Sequence, residues 1–371
     1  MATPGTDYSR IVAIFIVPAV LVAAIAILCG FFAGAATQTI VRSALIQLIV
    51  VVGLYIYSGN SGIMSFGQTS FMAIGAYAAA LLTVPVMQKH FLWPDFPGAG
   101  QFLLDVQLHP AVAAIIAGLF AAVIAAIVGY PLMKMNGFQA SIATLALLIV
   151  INVVIANWKS VTHGTSTIIG VPPIATMWNT LFVAEAAILI AFLYQISGRG
   201  LRLRAVREDP YAASSIGISI AFERIFAFAI SAFVVGIAGA MYAFSNPFSV
   251  DTFYLTLTFY TIAVLVIGGQ ASLWGAVLGT TVVSLFTQFT RQAEAGISIG
   301  AFNFAMPVGT TEVALGIAML LILILRPSGI SGGHEATWPW LAWAKWRGRN
   351  AAAEPTPAAA TATTRAGNGD G

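Results

Sequence analysis

The chain has 371 residues, of which 59% are hydrophobic and 8% charged, with a mean hydropathy of +0.92. Soluble domains carry about a quarter of their residues as charges, so thirteen acids and sixteen bases cannot solvate two compact domains, and an ordinary soluble enzyme is excluded. A net charge of +3 is too small to indicate a nucleic-acid partner, and in a chain of repeated bilayer spans its distribution between loops matters more than its sum.

Apolar stretches separated by short polar or Gly/Pro breaks predict ten helices, at 11–36, 43–58, 63–87, 111–133, 138–158, 180–197, 225–245, 253–268, 272–290 and 311–326. The expected fold class is all-α: a polytopic transmembrane helical bundle of about ten spans, some of them discontinuous. The first run holds 26 residues between Arg10 and Arg42, too many for the core of a cleavable signal peptide, so it reads as a span. Cys29 lies in that run as the single cysteine, which rules out an internal disulfide.

Gly59-Asn60-Ser61-Gly62 alone separates 43–58 from 63–87, and Gly268-Gly269-Gln270-Ala271 alone separates 253–268 from 272–290. Each pair is either a hairpin or a discontinuous helix. Irregular backbone at membrane depth is tolerated only where protein or water covers it, so the first break points to a solute path. A half-helix beginning near Ser61 would present free N–H groups to a carboxylate, with Asn60, Ser61, Ser65, Gln68 and Thr69 beside it. If the break lies at the inner surface instead, it is a tight hairpin. Glu185 and Glu312 lie in or near apolar runs, where an acid is costly unless paired or wetted; Glu185 is the better path candidate, and Glu312 falls near the outer headgroups.

With ten crossings and the amino terminus inside, the inner segments hold Arg10, Lys134, Arg199, Arg202, Arg204, Arg207, Arg224 and Arg326, against Arg42, Lys89, Lys159 and Arg291 outside. Eight against four favours cytoplasmic termini. The outer loop 88–110, with Trp93, Pro94, Pro97 and His109-Pro110, reads as an extended connector. Beyond Arg326, residues 327–349 carry Trp338, Trp340, Trp343 and Trp346 among basic residues and suit a membrane interface, and the Ala/Thr/Pro/Gly-rich segment 350–371 should be disordered. Gly236, Gly239 and Ala240, and Gly275 with Gly279, suit close helix contacts.

Residues 198–224, GRGLRLRAVREDPYAASSIGISIAFER, concentrate charge: six of the twenty-nine charged residues fall between Arg199 and Asp209. Asp209 is a good N-cap, Pro210 suits the first helical position and Gly217 can end a helix in the left-handed conformation, which predicts a helix over 210–216. Such a short helix is unstable alone, so something must pack on it. The arginines can serve as an anchor on lipid phosphates, or the helix can dock a cytoplasmic partner. Capping at both ends favours docking, because an electrostatic anchor needs no defined helix. The chain has no GxxxxGK[ST], CxxC or HExxH, and its four histidines are scattered, so neither nucleotide hydrolysis by a Walker loop nor a metal or catalytic site is expected.

The segment GRGLRLRAVREDPYAASSIG (198–217) resembles the cytoplasmic loop of permease subunits of ATP-binding-cassette importers for branched-chain amino acids, specifically the larger of the two permease types. SGIMSFGQTSF (61–71), ATLALL (143–148), VTHGTSTIIGVP (161–172), IGGQASLWGAVLG (267–279) and LRPSGISG (325–332) are similar to further blocks of that family, in the same order. The chain departs from the family pattern at Ile63 (Gln), Gln68 (His), His163 and Thr167 (Gly), Ala271 (Gly) and Ala276 (Pro).

The resemblance implies a permease domain over 11–326 that pairs with a second permease, two cytoplasmic ATP-binding-cassette subunits and an extracytoplasmic substrate-binding protein, within the lipid of a bacterial inner membrane. ATP would be used by the partner subunits, and the chain itself would bind no cofactor, metal or nucleic acid. On that footing 198–217 is the element inserted into the ATPase, with Arg207, Glu208, Asp209, Pro210 and Gly217 setting and capping it. Relatives of this type also imply urea, short amides or aromatic acids as substrates. A stand-alone ion-coupled carrier using Glu185 or Glu312, and a membrane scaffold, are the competing readings.

Overall fold

The computed structural model describes residues 5–32, 34–93, 97–98, 101–135, 137–295, 297–299, 302–304, 307, 309–326 and 328–335. The chain forms two compact units, Met1–Val17 with Ala336–Gly371, and Pro18–Glu335. Of the first, the described part is the opening of helix α1 (Gly5–Phe32), so residues 5–10 are helical. The tail 350–371 and the tryptophans of 336–349 lie outside the described residues.

The second unit continues with α2 (Ala35–Ser61), α3 (Gln68–Thr83), α4 (Val86–Leu92), α5 (Phe102–Asp105), α6 (Pro110–Leu132), α7 (Gly137–Asn157) and α8 (Lys159–Thr162). It goes on through α9 (Met177–Ile196), α10 (Gly198–Glu208), α11 (Pro210–Ser215), α12 (Ile220–Ala243), α13 (Leu255–Gly268), α14 (Leu273–Ala295) and α15 (Thr310–Leu325). A small antiparallel hairpin, β1 (Ile297–Ile299) with β2 (Phe302–Phe304), precedes α15 and pairs Ile297 with Phe304. Among the described residues eight helices are long and apolar enough to cross a membrane. The 16-residue α3 and α15 fall in the two remaining runs that the sequence marks as spans.

Helix α12 is central, packing against α2, α3 and α6. Small residues permit this: a Cβ at Gly239 would collide with the Met72 carbonyl of α3, so the two backbones touch only because the side chain is absent. Ser231 Oγ donates to Gly53 O at 2.6 Å and ties α12 to α2. One basic residue from each predicted group lies at an opposite end of α2, whose 27 residues extend about 40 Å. Arg42, near its start, donates to Ala175 O at 3.0 Å, and Arg207 donates to Gly59 O at 2.8 Å near its end.

Three local expectations are corrected. The stretch 88–110 is not an extended connector: it contains part of α4 and all of α5, and Lys89 is buried, donating to Leu103 O at 3.2 Å and Val106 O at 2.5 Å. Residues 198–208 are helical, because Gly200, Leu203 and Val206 form a buried stripe at helical spacing beneath the arginines. The first break is displaced: Gly59, Asn60 and Ser61 are the last turn of α2, Gly62 caps it in the left-handed conformation (φ 71°), and 62–67 is the irregular segment.

Candidate functional site

Asp209 ends α10 and starts α11. Its Oδ1 accepts from Tyr211 N at 2.9 Å and Ala212 N at 3.0 Å, Pro210 occupies the first position, and Gly217 closes the turn at φ 84°. Only Ala213 of α11 is buried, whereas Tyr211 is 87% and Ile216 75% exposed, so two large apolar side chains face outward at this end. Glu208 is exposed beside them.

The arginines of α10 are already engaged within the chain. Arg204 Nε donates to Asn60 Oδ1 at 2.9 Å, and Arg207 Nη1 to Gly59 O, so cations sit at the C-terminus of α2, where the helix dipole favours them. Arg202 pairs with Glu223 of α12 at 3.5 Å, and Arg199 stacks over Phe226 at 4.0 Å. Arginines held in this way fasten α10 to α2 and α12, a role that lipid phosphates are not needed to explain.

The segment 62–67 climbs away from that end before α3 begins. Phe66 N donates to Thr144 Oγ1 at 3.1 Å, and the Thr69 and Thr258 hydroxyls share a hydrogen bond. Thr258 lies ten residues from the end of α13, so α3 starts about 15 Å inside the bundle. A half-helix exists, but it begins at Gln68 and not near Ser61. No side chain caps its first turn. Ser65 Oγ, Ser70 Oγ and both amide atoms of Gln68 are buried there without a hydrogen-bond partner among the described residues. Such orphaned groups cost about 1–3 kcal/mol each.

A cavity of about 860 Å³ opens beyond this point, lined by Gln47, Met72, Asp251, Phe259, Arg291 and Glu312 among others. Its volume is in the range of small-molecule sites. Phe259 packs edge-on against Phe66 at 6.1 Å, so the cavity floor adjoins the start of α3.

The sequence model of the family described as branched-chain amino acid transport system permease component matches residues 36–325. The chain belongs to that family. It is 26% identical over 368 residues to the high-affinity branched-chain amino acid transport system permease protein LivM of Escherichia coli K12, covering 88% of this chain and 77% of that one. The Salmonella typhimurium LivM is 25% identical over the same shares, and a nucleoside ABC transporter permease protein, NupC of Lactococcus lactis, is 27% identical over 245 residues, 62% of this chain and 74% of its own. No solved structure matches significantly. The apolar helices and the family together make this a multi-pass membrane protein.

In this permease the residues singled out from sequence fall into two groups. Asn60 joins Arg207, Glu208, Asp209, Pro210 and Gly217 at the α10–α11 end, because its side chain is taken by Arg204. Ser61 sits in the last turn of α2, and Ser61 Oγ accepts from Ile63 N at 3.2 Å. Ser65, Gln68 and Thr69 gather at the start of α3. Glu185 is half-buried in α9 with Oε1 unpartnered, and is not in the cavity lining. Glu312, placed by sequence near headgroups, lines the cavity. Sequence reasoning did not pick out Asp251, Arg291, Arg204 or Glu335 as site residues; Ser272 immediately before α14 was a legible N-cap, but the acid that completes that cap lies 62 residues beyond Leu273.

Proposed function

We propose that this permease is the membrane subunit of an ATP-driven importer for branched-chain amino acids, moving substrate from an extracytoplasmic binding protein to the cytoplasm. It works with a second permease and two ATP-binding-cassette subunits in a bacterial inner membrane, with both termini inside. It catalyses no bond chemistry and binds no cofactor of its own; the partner subunits use ATP. The observation that carries this reading is α11: a helix too short to stand alone, capped by Asp209, offering Tyr211 and Ile216 outward from a base fastened to α2.

Transport then rests on the relative stability of inward- and outward-open states. Substrate enters the cavity beside Asp251, Arg291 and Glu312, whose opposite charges match an amino acid zwitterion. It passes the Phe66–Phe259 and Thr69–Thr258 contacts, and the unpaired groups of Ser65 and Gln68 and the uncapped turn of α3 take its polar atoms in transit.

The test is uptake of labelled leucine into vesicles holding the permease pair, with and without the ATPase subunits. Uptake should require ATP and both ATPase copies, and excess isoleucine or valine, but not a nucleoside, should compete. Uptake that proceeds without the ATPase subunits and collapses with the proton gradient would sink the proposal.

A further inference from the structure

After α15 the backbone turns back onto the break between α13 and α14. Ile330 N donates to Ile267 O at 2.9 Å and Ser331 N to Gly268 O at 3.0 Å, satisfying carbonyls that the end of α13 leaves open. Glu335 then closes the other side. Its Oε1 accepts from Leu273 N at 3.2 Å and its Oε2 from Trp274 N at 3.4 Å, while Ser272 Oγ takes Gly275 N at 2.9 Å. One short segment thus caps two helix ends, and a carboxylate sits at the positive end of α14.

The same carboxylate reaches the other helices at this end. Gln195 Nε2 of α9 donates to Glu335 Oε1 at 2.7 Å. The Tyr55 hydroxyl of α2 lies 3.3 Å from both Glu335 Oε1 and Gln195 Oε1, and accepts from Arg204 Nη2 at 3.5 Å. A continuous hydrogen-bonded chain therefore runs from α10 through Arg204, Tyr55 and Glu335 to the start of α14. The far halves of α13 and α14 carry Phe259, Tyr260, Thr287 and Arg291 of the cavity wall.

We propose that Glu335 is a positioning residue that transmits movement of α10–α11 to the α13–α14 pair, so that displacement at the ATPase face shifts one wall of the substrate cavity. The element with two positions is the α13–α14 pair, hinged at 269–272 and held in this state by Ile330, Ser331 and Glu335. This rests on the import reading above.

The experiment compares uptake per ATP hydrolysed in vesicles containing the complete transporter, with wild-type permease, Glu335→Ala and Tyr55→Phe. Glu335→Ala should lower uptake per ATP about ten-fold while basal ATP hydrolysis stays within two-fold, and Tyr55→Phe, which retains the ring and its packing, about three-fold. The double variant should be no worse than Glu335→Ala alone, because both act on one chain of contacts. If Glu335→Ala fails to assemble, Tyr55→Phe decides. Wild-type coupling in an assembled Glu335→Ala or in Tyr55→Phe overturns the inference, whereas a wild-type complex whose uptake ignores ATP overturns the import reading instead.

Discussion

The end of α2 and the start of α3 are joined by only six residues, yet they treat polar groups in opposite ways. At the end of α2, Arg204, Arg207 and Glu335 each find partners in helix termini, asparagine, tyrosine or glutamine. At the start of α3, the side chains of Ser65, Gln68 and Ser70 are buried with no hydrogen-bond partner among the described residues. On the import reading proposed above, satisfied charges hold helices in register, and the unsatisfied neutral groups are where a solute or a moving helix completes the set. That reading makes the first a transmitting region and the second a passage region within one stretch of chain.

Substitutions can break or sharpen that contrast. The largest effect is expected from Gly239→Val, which pushes α12 off α3 and so disturbs both regions together; the added volume costs on the order of 1–3 kcal/mol or more, and the protein should fail to accumulate in membranes by immunoblot. Gln68→Leu should act on the passage alone. Replacing an unpaired buried amide by an apolar side chain of similar size is neutral or stabilising, so the melting temperature should hold or rise while leucine uptake falls about ten-fold. A loss of both stability and uptake would show that Gln68 has a partner in the assembly.

The smallest effect lies away from both regions. His163 adopts φ 60°, the left-handed conformation that costs a non-glycine residue roughly 1 kcal/mol, and packs edge-on against Trp93 at 5.1 Å. Burial lowers its pKa, so the unfolded chain binds the proton more readily, and stability is lost as pH falls from about 6.5 toward the lower folded value. His163→Gly should flatten that acid limb in thermal melts between pH 7 and pH 5, and change uptake little.

Much of this architecture was legible in the sequence because lipid leaves little choice: ten apolar runs became helices, with α3 and α15 the short ones. The boundary of α2 was not legible. Glycine, asparagine and serine are weak helix formers, and 59–61 stay helical because Arg207 and Arg204 bond Gly59 and Asn60 from 144 or more residues away. Helix α10 was hidden by its charges, although the stripe Gly200, Leu203 and Val206 was there to be read. Asp209, Pro210 and Gly217 were readable because capping is local chemistry. Glu335 was not, since nothing near it in sequence shows that it caps α14.

The central claim is that α11 joins the membrane helices to an ATP-hydrolysing partner. Its most direct test is ATP hydrolysis by the reconstituted transporter carrying Glu208→Ala with Asp209→Ala, measured with and without substrate-loaded binding protein. Loss of stimulation with normal membrane insertion is the predicted result, and wild-type stimulation would contradict the account.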